Sequence, residues 1–197
     1  VIAVDRAADK ARGTAAEMER TDLENVQVKE MDAQDLLLGD EMFDCVLCGF
    51  ALSSFARPRR ALHEFARVLR PGGRVAISAW SEDCPFLNWW REVVRPYAPD
   101  RSSEADGSRF DTPARLETAL CDAGLENIRT SVEDSEFVYA DEEEWWTAIE
   151  SSETQHLPAL VMERIKNEMI AKVSFLKQPD GIHNPYRALF SLGIKPV

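Results

Sequence analysis

The chain has 197 residues, 45% of them hydrophobic and 29% charged, enough for one sizeable core and too little for a second full domain. Its formal net charge of −12 works against a polyanionic partner, because affinity for nucleic acid comes mainly from Lys and Arg neutralising phosphates. No apolar stretch approaches the roughly 20 residues that cross a bilayer, and no basic amphipathic helix offers itself to an anionic surface, so neither nucleic acid nor membrane is expected as a partner.

Residues 1–4 are a short apolar run ending at Asp5, and Ala7, Ala11, Ala15 and Met18 follow at helical spacing, which predicts a strand and then a helix over 7–20. A second strand is predicted over 26–31 and a third over 42–50, whose near-continuous apolarity predicts burial on both faces. Cys45 and Cys48 fall in that third run with CxxC spacing, which a zinc or redox pair would share. With no second pair in the chain, they read as small buried hydrophobes. The four cysteines, few and scattered, fit free thiols in a reducing cytoplasm better than a disulfide framework. Leu62, Phe65, Ala66 and Leu69 form one helical stripe over 56–69, stopped by Pro71-Gly72-Gly73 before a strand over 74–80. The order β-α-β-β-α-β predicts right-handed crossovers and an α/β, doubly wound sheet with helices on both faces.

After Trp80 the texture changes. A Pro-containing stretch with Phe86, Trp89, Trp90 and Tyr97, then a loop rich in Ser, Asp and Gly around 100–109, reads as an insert or lid. A helix over 113–123 closes on Gly124, and a strand follows over 125–139. Asp141 ahead of Glu142, Glu143 and Glu144 marks a helix N-terminus, leading into Trp145 and Trp146. Leu157, Val161, Ile165, Met169, Val173 and Leu176 define a long amphipathic helix, and a last strand over about 186–194 is predicted to close the sheet.

In a doubly wound sheet, ligands bind beyond the carboxyl ends of the strands. Asp5 stands at the first such end, where a carboxylate either accepts from both hydroxyls of a ribose or caps the helix that follows; a nicotinamide-dependent oxidoreductase would place an acid there too. Asp32 and Ala33 follow the second strand. There a carboxylate can accept from the exocyclic amine of adenine while the Ala33 amide donates to a ring nitrogen, the plainer alternative being a solvated turn acid. At the third end Gly49 permits close backbone approach and Phe50 offers an apolar wall, unless both serve only turn and core. Pro71-Gly72-Gly73 follows a helix and precedes a strand, the reverse of an anion-cradling loop, and reads as a helix stop. His63, His156 and His183 are far apart, none with a partner at metal-ligand spacing, and no metal site is expected.

Val4-Asp5, Met31-Asp32-Ala33, Phe43-Asp44-Cys45-Val46-Leu47 and Leu69-Arg70-Pro71-Gly72-Gly73 before 75–80 together resemble class I S-adenosylmethionine-dependent methyltransferases, of the ubiquinone and menaquinone biosynthesis type. The resemblance is strong over 1–80, taken as the cofactor-binding part. It is looser over 81–197, the C-terminal part of the same domain with the aromatic insert, where Phe110-Asp111-Thr112-Pro113, Ala123-Gly124-Leu125 and Glu144-Trp145-Trp146 look like the family's later pattern. It implies a Rossmann-like, mostly parallel sheet of seven strands with the last antiparallel. It places Asp5 at the ribose of S-adenosylmethionine, Asp32 and Ala33 at its adenine, and Gly49 and Phe50 near its methionine end, and it counts Arg6 among the cofactor-binding residues. It further implies methyl transfer to a small-molecule acceptor, which the aromatic residues would cover. The family's first strand, with its glycine-rich turn and helix, has no counterpart in the 197 residues, whose nine glycines never form GxG after a strand. That strand is central in the family's order, so a gap between two sheet halves is expected. A non-catalytic module that keeps the fold is the alternative reading.

Overall fold

The computed structural model describes residues 1–97, 109–149 and 157–197; most of the polar loop around 100–109, and His156, lie outside the described residues. Two sheets are present. In the first, β1 (Ile2–Asp5) pairs in parallel with β2 (Gln27–Glu30), and the crossover between them is α1 (Ala8–Arg20). In the second, β3 (Phe43–Gly49) runs parallel to β4 (Leu69–Trp80), connected by α2 (Pro58–Val68). Beyond them come α3 (Pro85–Val94), α4 (Pro113–Asp122), β5 (Glu126–Tyr139), α5 (Glu142–Ile149), α6 (Ala159–Val173), the short β6 (Lys177–Gln178) and β7 (Gly181–Ile194). The strand order of the second sheet is β3-β4-β7-β5, with β7 antiparallel to both neighbours and β6 pairing on β7. Among the described residues no ladder joins β1 to β3.

The exposure of β3 corrects the reading of the third strand as buried on both faces. Helices α2 and α4 cover one face, where Cys48 joins Leu62, Phe65, Val75, Ile77, Leu116 and Leu189 in the main core. On the other face Leu47 is 77% exposed and Cys45 is exposed as well, because none of the described helices packs over that side of β3. Cross-strand register places Leu47, Ala76 and Leu192 in one row and Gly49, Ser78 and Phe190 in the next. These rows floor a shallow hollow of about 520 Å³.

The helix over 56–69 stops at Val68, but the following strand starts at Leu69, ahead of Pro71-Gly72-Gly73 rather than after it. These three residues form an irregularity inside β4, across which the partners jump from Phe43↔Leu69 to Cys45↔Arg74. Gly72 has φ of +77°, and a Cβ on Gly73 would stand 2.8 Å from the Arg70 carbonyl oxygen, so both positions need glycine. Reciprocal backbone hydrogen bonds with Lys195, both 2.9 Å, fasten the irregularity to the residue that follows β7.

β7 starts five residues earlier than the predicted 186, since the polar run His183-Asn184-Pro185 hides its periodicity. Pro185 is tolerated because it pairs with Glu136 of β5 while β4 does not reach it: β4 ends where Trp80 meets Ala188. The β5–β7 ribbon therefore projects past β4 and carries Ile182 and Tyr186 into a second core with α3, α5 and α6. Phe86, Trp90, Trp145 and Trp146 are buried in that core, leaving Trp89 and Tyr97 partly exposed. The expected N-cap is present: Asp141 Oδ1 accepts from the Glu143 and Glu144 amides at 3.0 and 2.9 Å, and Glu144 reaches back to the Ala140 amide. The long helix is shorter than its apolar stripe, ending at Val173 and tightening into a 3₁₀ turn over Ser174–Leu176.

Candidate functional site

Asp5 closes β1 and Asp32 lies two residues beyond β2, so the two carboxylates sit at the carboxyl ends of adjacent parallel strands; the Met31 amide donates to the Asp5 carbonyl at 3.0 Å. Asp5 Oδ1 accepts from the Ala7 amide at 2.8 Å, which shapes the turn into α1. Among the described residues Oδ2 of Asp5 accepts no hydrogen bond, so the carboxylate forms the turn and still has an oxygen to offer a ligand. Arg6 is exposed, and its charge acts on Asp32.

Asp32 is more firmly held. Its Oδ1 accepts from the Gln34 amide at 2.8 Å and from Gln34 Nε2 at 2.9 Å, and these bonds, followed by the positive charges of Arg6 and Arg57, keep the carboxyl below its usual range. Ala33 between them is half-buried.

The segment after Asp32 is fastened to α2 by that helix's polar face. Arg60 Nε donates to the Gln34 carbonyl at 2.7 Å, Glu64 accepts from the Leu36 amide at 2.7 Å, and Arg67 donates to the Leu36 and Leu38 carbonyls at 2.9 and 2.8 Å. Arg67 also pairs with Glu64, which lowers the Glu64 pKa. These residues were not singled out in the sequence. Their signal was the spacing of Arg60, Glu64 and Arg67 at i, i+4 and i+7, a second stripe beside the apolar one.

Gly49 and Phe50 end β3, on the other sheet. A Cβ on Gly49 would meet only Ser78 Oγ, at 3.8 Å, so the surrounding protein does not require glycine at this position. The Phe50 amide donates to the Ser78 carbonyl at 3.0 Å and to Ser78 Oγ at 3.2 Å, with φ of +52°, a left-handed conformation uncommon for a bulky residue. Its ring begins an aromatic row: Phe50 stacks on Trp80, and Trp80 lies 5.3 Å from Tyr186, whose hydroxyl is pushed above its ordinary pKa by burial. The structure thus brings Asp5, Arg6, Asp32 and Ala33 together at one sheet's end, and Gly49 and Phe50 at the other's.

Residues outside this arrangement also have their places. His63 is exposed on α2, and His183 lies between Glu136 and Asp180. Among the described residues no three His, Cys, Asp or Glu side chains are grouped to share a metal ion.

Residues 1–77 match a family described as a methyltransferase domain. A demethylmenaquinone methyltransferase of Clavibacter sepedonicus is 41% identical over 58 residues, 29% of this chain and 24% of the relative. The chain spans about a quarter of the length of such curated relatives. The YcgJ protein of Bacillus subtilis superposes on all of this chain and 82% of its own, with a TM-score of 0.68 at 20% identity. A Haemonchus contortus phosphoethanolamine N-methyltransferase 2, solved with S-adenosyl-L-methionine, superposes on all of this chain and 43% of its own, with a TM-score of 0.60 at 14% identity. Residues 1–77 are thus similar to the methyltransferase domain family, and over its length the chain has the fold of class I methyltransferases.

Proposed function

We propose that this chain is the part of an S-adenosylmethionine-dependent methyltransferase that holds the adenosine of the cofactor and borders its methionine end, and that the whole protein methylates a small-molecule acceptor. The observation that carries this reading is the pair Asp5 and Asp32: two carboxylates at neighbouring strand ends, each with one oxygen engaged by local backbone and the other less committed. One carboxylate suits the paired hydroxyls of a ribose and the other an exocyclic amine, and a nucleoside offers both kinds of donor. The open side of Gly49 and the apolar ring of Phe50 suit a ligand crossing from one sheet to the other.

The bound cofactor supplies a methyl group already activated on a sulfonium. The chain's own contribution is placement. Asp5 and Asp32 fix the adenosine, Phe50 and Trp80 wall the space beyond β3 and β4, and the C-terminal helices back that wall with an apolar core. Such positioning supplies much of the barrier reduction in a displacement that needs little proton transfer. A net charge of −12 favours a small acceptor over nucleic acid, and cysteines left as free thiols suit the cytoplasm. No helix among the described residues is long and apolar enough to cross a membrane.

The test is calorimetric titration of S-adenosylhomocysteine into the protein at its natural full length. Binding that disappears in Asp5→Ala and in Asp32→Ala is expected; a folded protein that takes up none would overturn the reading.

A further inference from the structure

We infer that Gln34 is a positioning residue for the nucleobase end of the site, fixing how the Asp32 carboxylate is presented. This rests on the reading of Asp32 as an adenine ligand and goes beyond it by assigning the selectivity for the base to a residue that does not touch it.

Gln34 is 3% exposed, an unusual place for an amide unless both ends of its dipole are satisfied. They are. Its Oε1 accepts from the Arg57 backbone amide, just ahead of α2, at 2.5 Å, and its Nε2 donates to Asp32 Oδ1 at 2.9 Å and to Oδ2 at 3.2 Å. A backbone N–H can meet only the oxygen and a carboxylate only the nitrogen, so the amide has a single allowed orientation. Its main chain is engaged too: the Gln34 amide donates to Asp32 Oδ1 at 2.8 Å, and its carbonyl accepts from Arg60 Nε at 2.7 Å.

The geometry sorts the two carboxylate oxygens. Oδ1 receives two short bonds from Gln34, while Oδ2 receives one long one and keeps most of its capacity for an outside donor. The carboxylate cannot rotate to exchange them without breaking the Gln34 bonds, and Gln34 cannot follow without leaving Arg57. Through Arg57 the base end is also tied to the start of α2, which follows the turn after Gly49 and Phe50. An ionised carboxylate held this way accepts from an amine and repels a carbonyl, so it discriminates a 6-amino purine from its 6-oxo counterpart.

The experiment compares S-adenosylhomocysteine with S-inosylhomocysteine, its 6-oxo analogue, by calorimetry on the full-length protein and on Gln34→Leu and Gln34→Glu. The parent should favour the amino ligand by roughly tenfold or more, as one charge-assisted hydrogen bond provides. Gln34→Leu, which leaves Asp32 held by the backbone amide of residue 34 alone, should bring the two affinities to within about threefold, mostly by weakening the amino ligand. Gln34→Glu keeps an acceptor for the Arg57 amide but has no donor for Asp32, and it should lose the preference in the same way, which covers the case of a leucine variant that does not fold. A role confined to folding would weaken both ligands equally; an unchanged ratio in a folded variant that binds overturns the inference. A folded parent that binds neither ligand removes the reading of Asp32 itself, and the inference with it.

Discussion

The rings of Phe50 and Trp80 lie stacked with centroids 4.2 Å apart and planes at 27°, closing the carboxyl ends of β3 and β4 with one apolar surface. Phe50 reaches that position only by taking a positive φ, which costs an ordinary residue roughly 1–2 kcal/mol, against roughly 0.5–1.5 kcal/mol returned by an aromatic pair. Removing the ring and removing the backbone cost should therefore be separable. Phe50→Ala keeps the cost and loses the ring, and should destabilise the protein by about 1–2 kcal/mol; Phe50→Gly loses both and should fall closer to the parent. Urea midpoints measure the two. Equal midpoints for alanine and glycine would show that position 50 bears no backbone cost.

His183 gives the β5–β7 ribbon a dependence on pH. Its Nδ1 faces Glu136 and its Nε2 faces Asp180, both at 3.0 Å, and the two carboxylates raise its pKa, Asp180 more than Glu136, while Asp180 is lowered in turn. A raised histidine contributes stability that is complete below its unfolded value, about 6.5, and is lost as pH rises through the folded value. The lowered Asp180 contributes above its own unfolded value, about 3.9, and loses its contribution as pH falls through the folded one. The contact should therefore stabilise most between roughly pH 4 and 6.5. Thermal melts carried from that plateau to higher pH should show a decline that His183→Gln abolishes; the same decline in the variant would assign it to another group.

The cysteines report on the open face of β3. Cys45 and Cys121 are exposed, whereas Cys48 and Cys84 are buried, and burial pushes the Cys48 thiol up to about 11. A thiol reagent applied to this chain in its native state should label Cys45 and Cys121 and spare the other two until denaturant is added. Protection of Cys45 would mean that the exposed face of β3 is covered in solution.

Much of this architecture could be read in the sequence, for identifiable reasons. The two parallel pairs and their crossovers follow from apolar runs alternating with helical stripes, and the turn at Gly124 from a glycine with φ of +84°. The third strand misled because a continuous apolar run shows what a strand is built to bury, not what lies over it; Leu47 has the composition of a covered residue and is exposed among the described residues. β7 was shortened because His183, Asn184 and Pro185 break the alternation that Tyr186 onward restores. For the candidate site, the position of Asp5 and Asp32 just after parallel strands was legible. Gln34 was not, since a glutamine in a polar turn resembles solvent-facing sequence until the fold brings Arg57 behind it.

The division of the site between two sheets has a thermodynamic consequence. With no ladder between β1 and β3 among the described residues, the connection from Met31 to Met42 carries much of the relative placement of the two candidate half-sites, held against α2 by Gln34, Glu64 and Arg67. A molecule that touched Asp5 and Asp32 at one end and Gly49 at the other would bridge the two sheets. By mass action its binding adds about 2.7 kcal/mol of stability at a free concentration of 100 times its Kd, so occupancy and folding are bound to rise together.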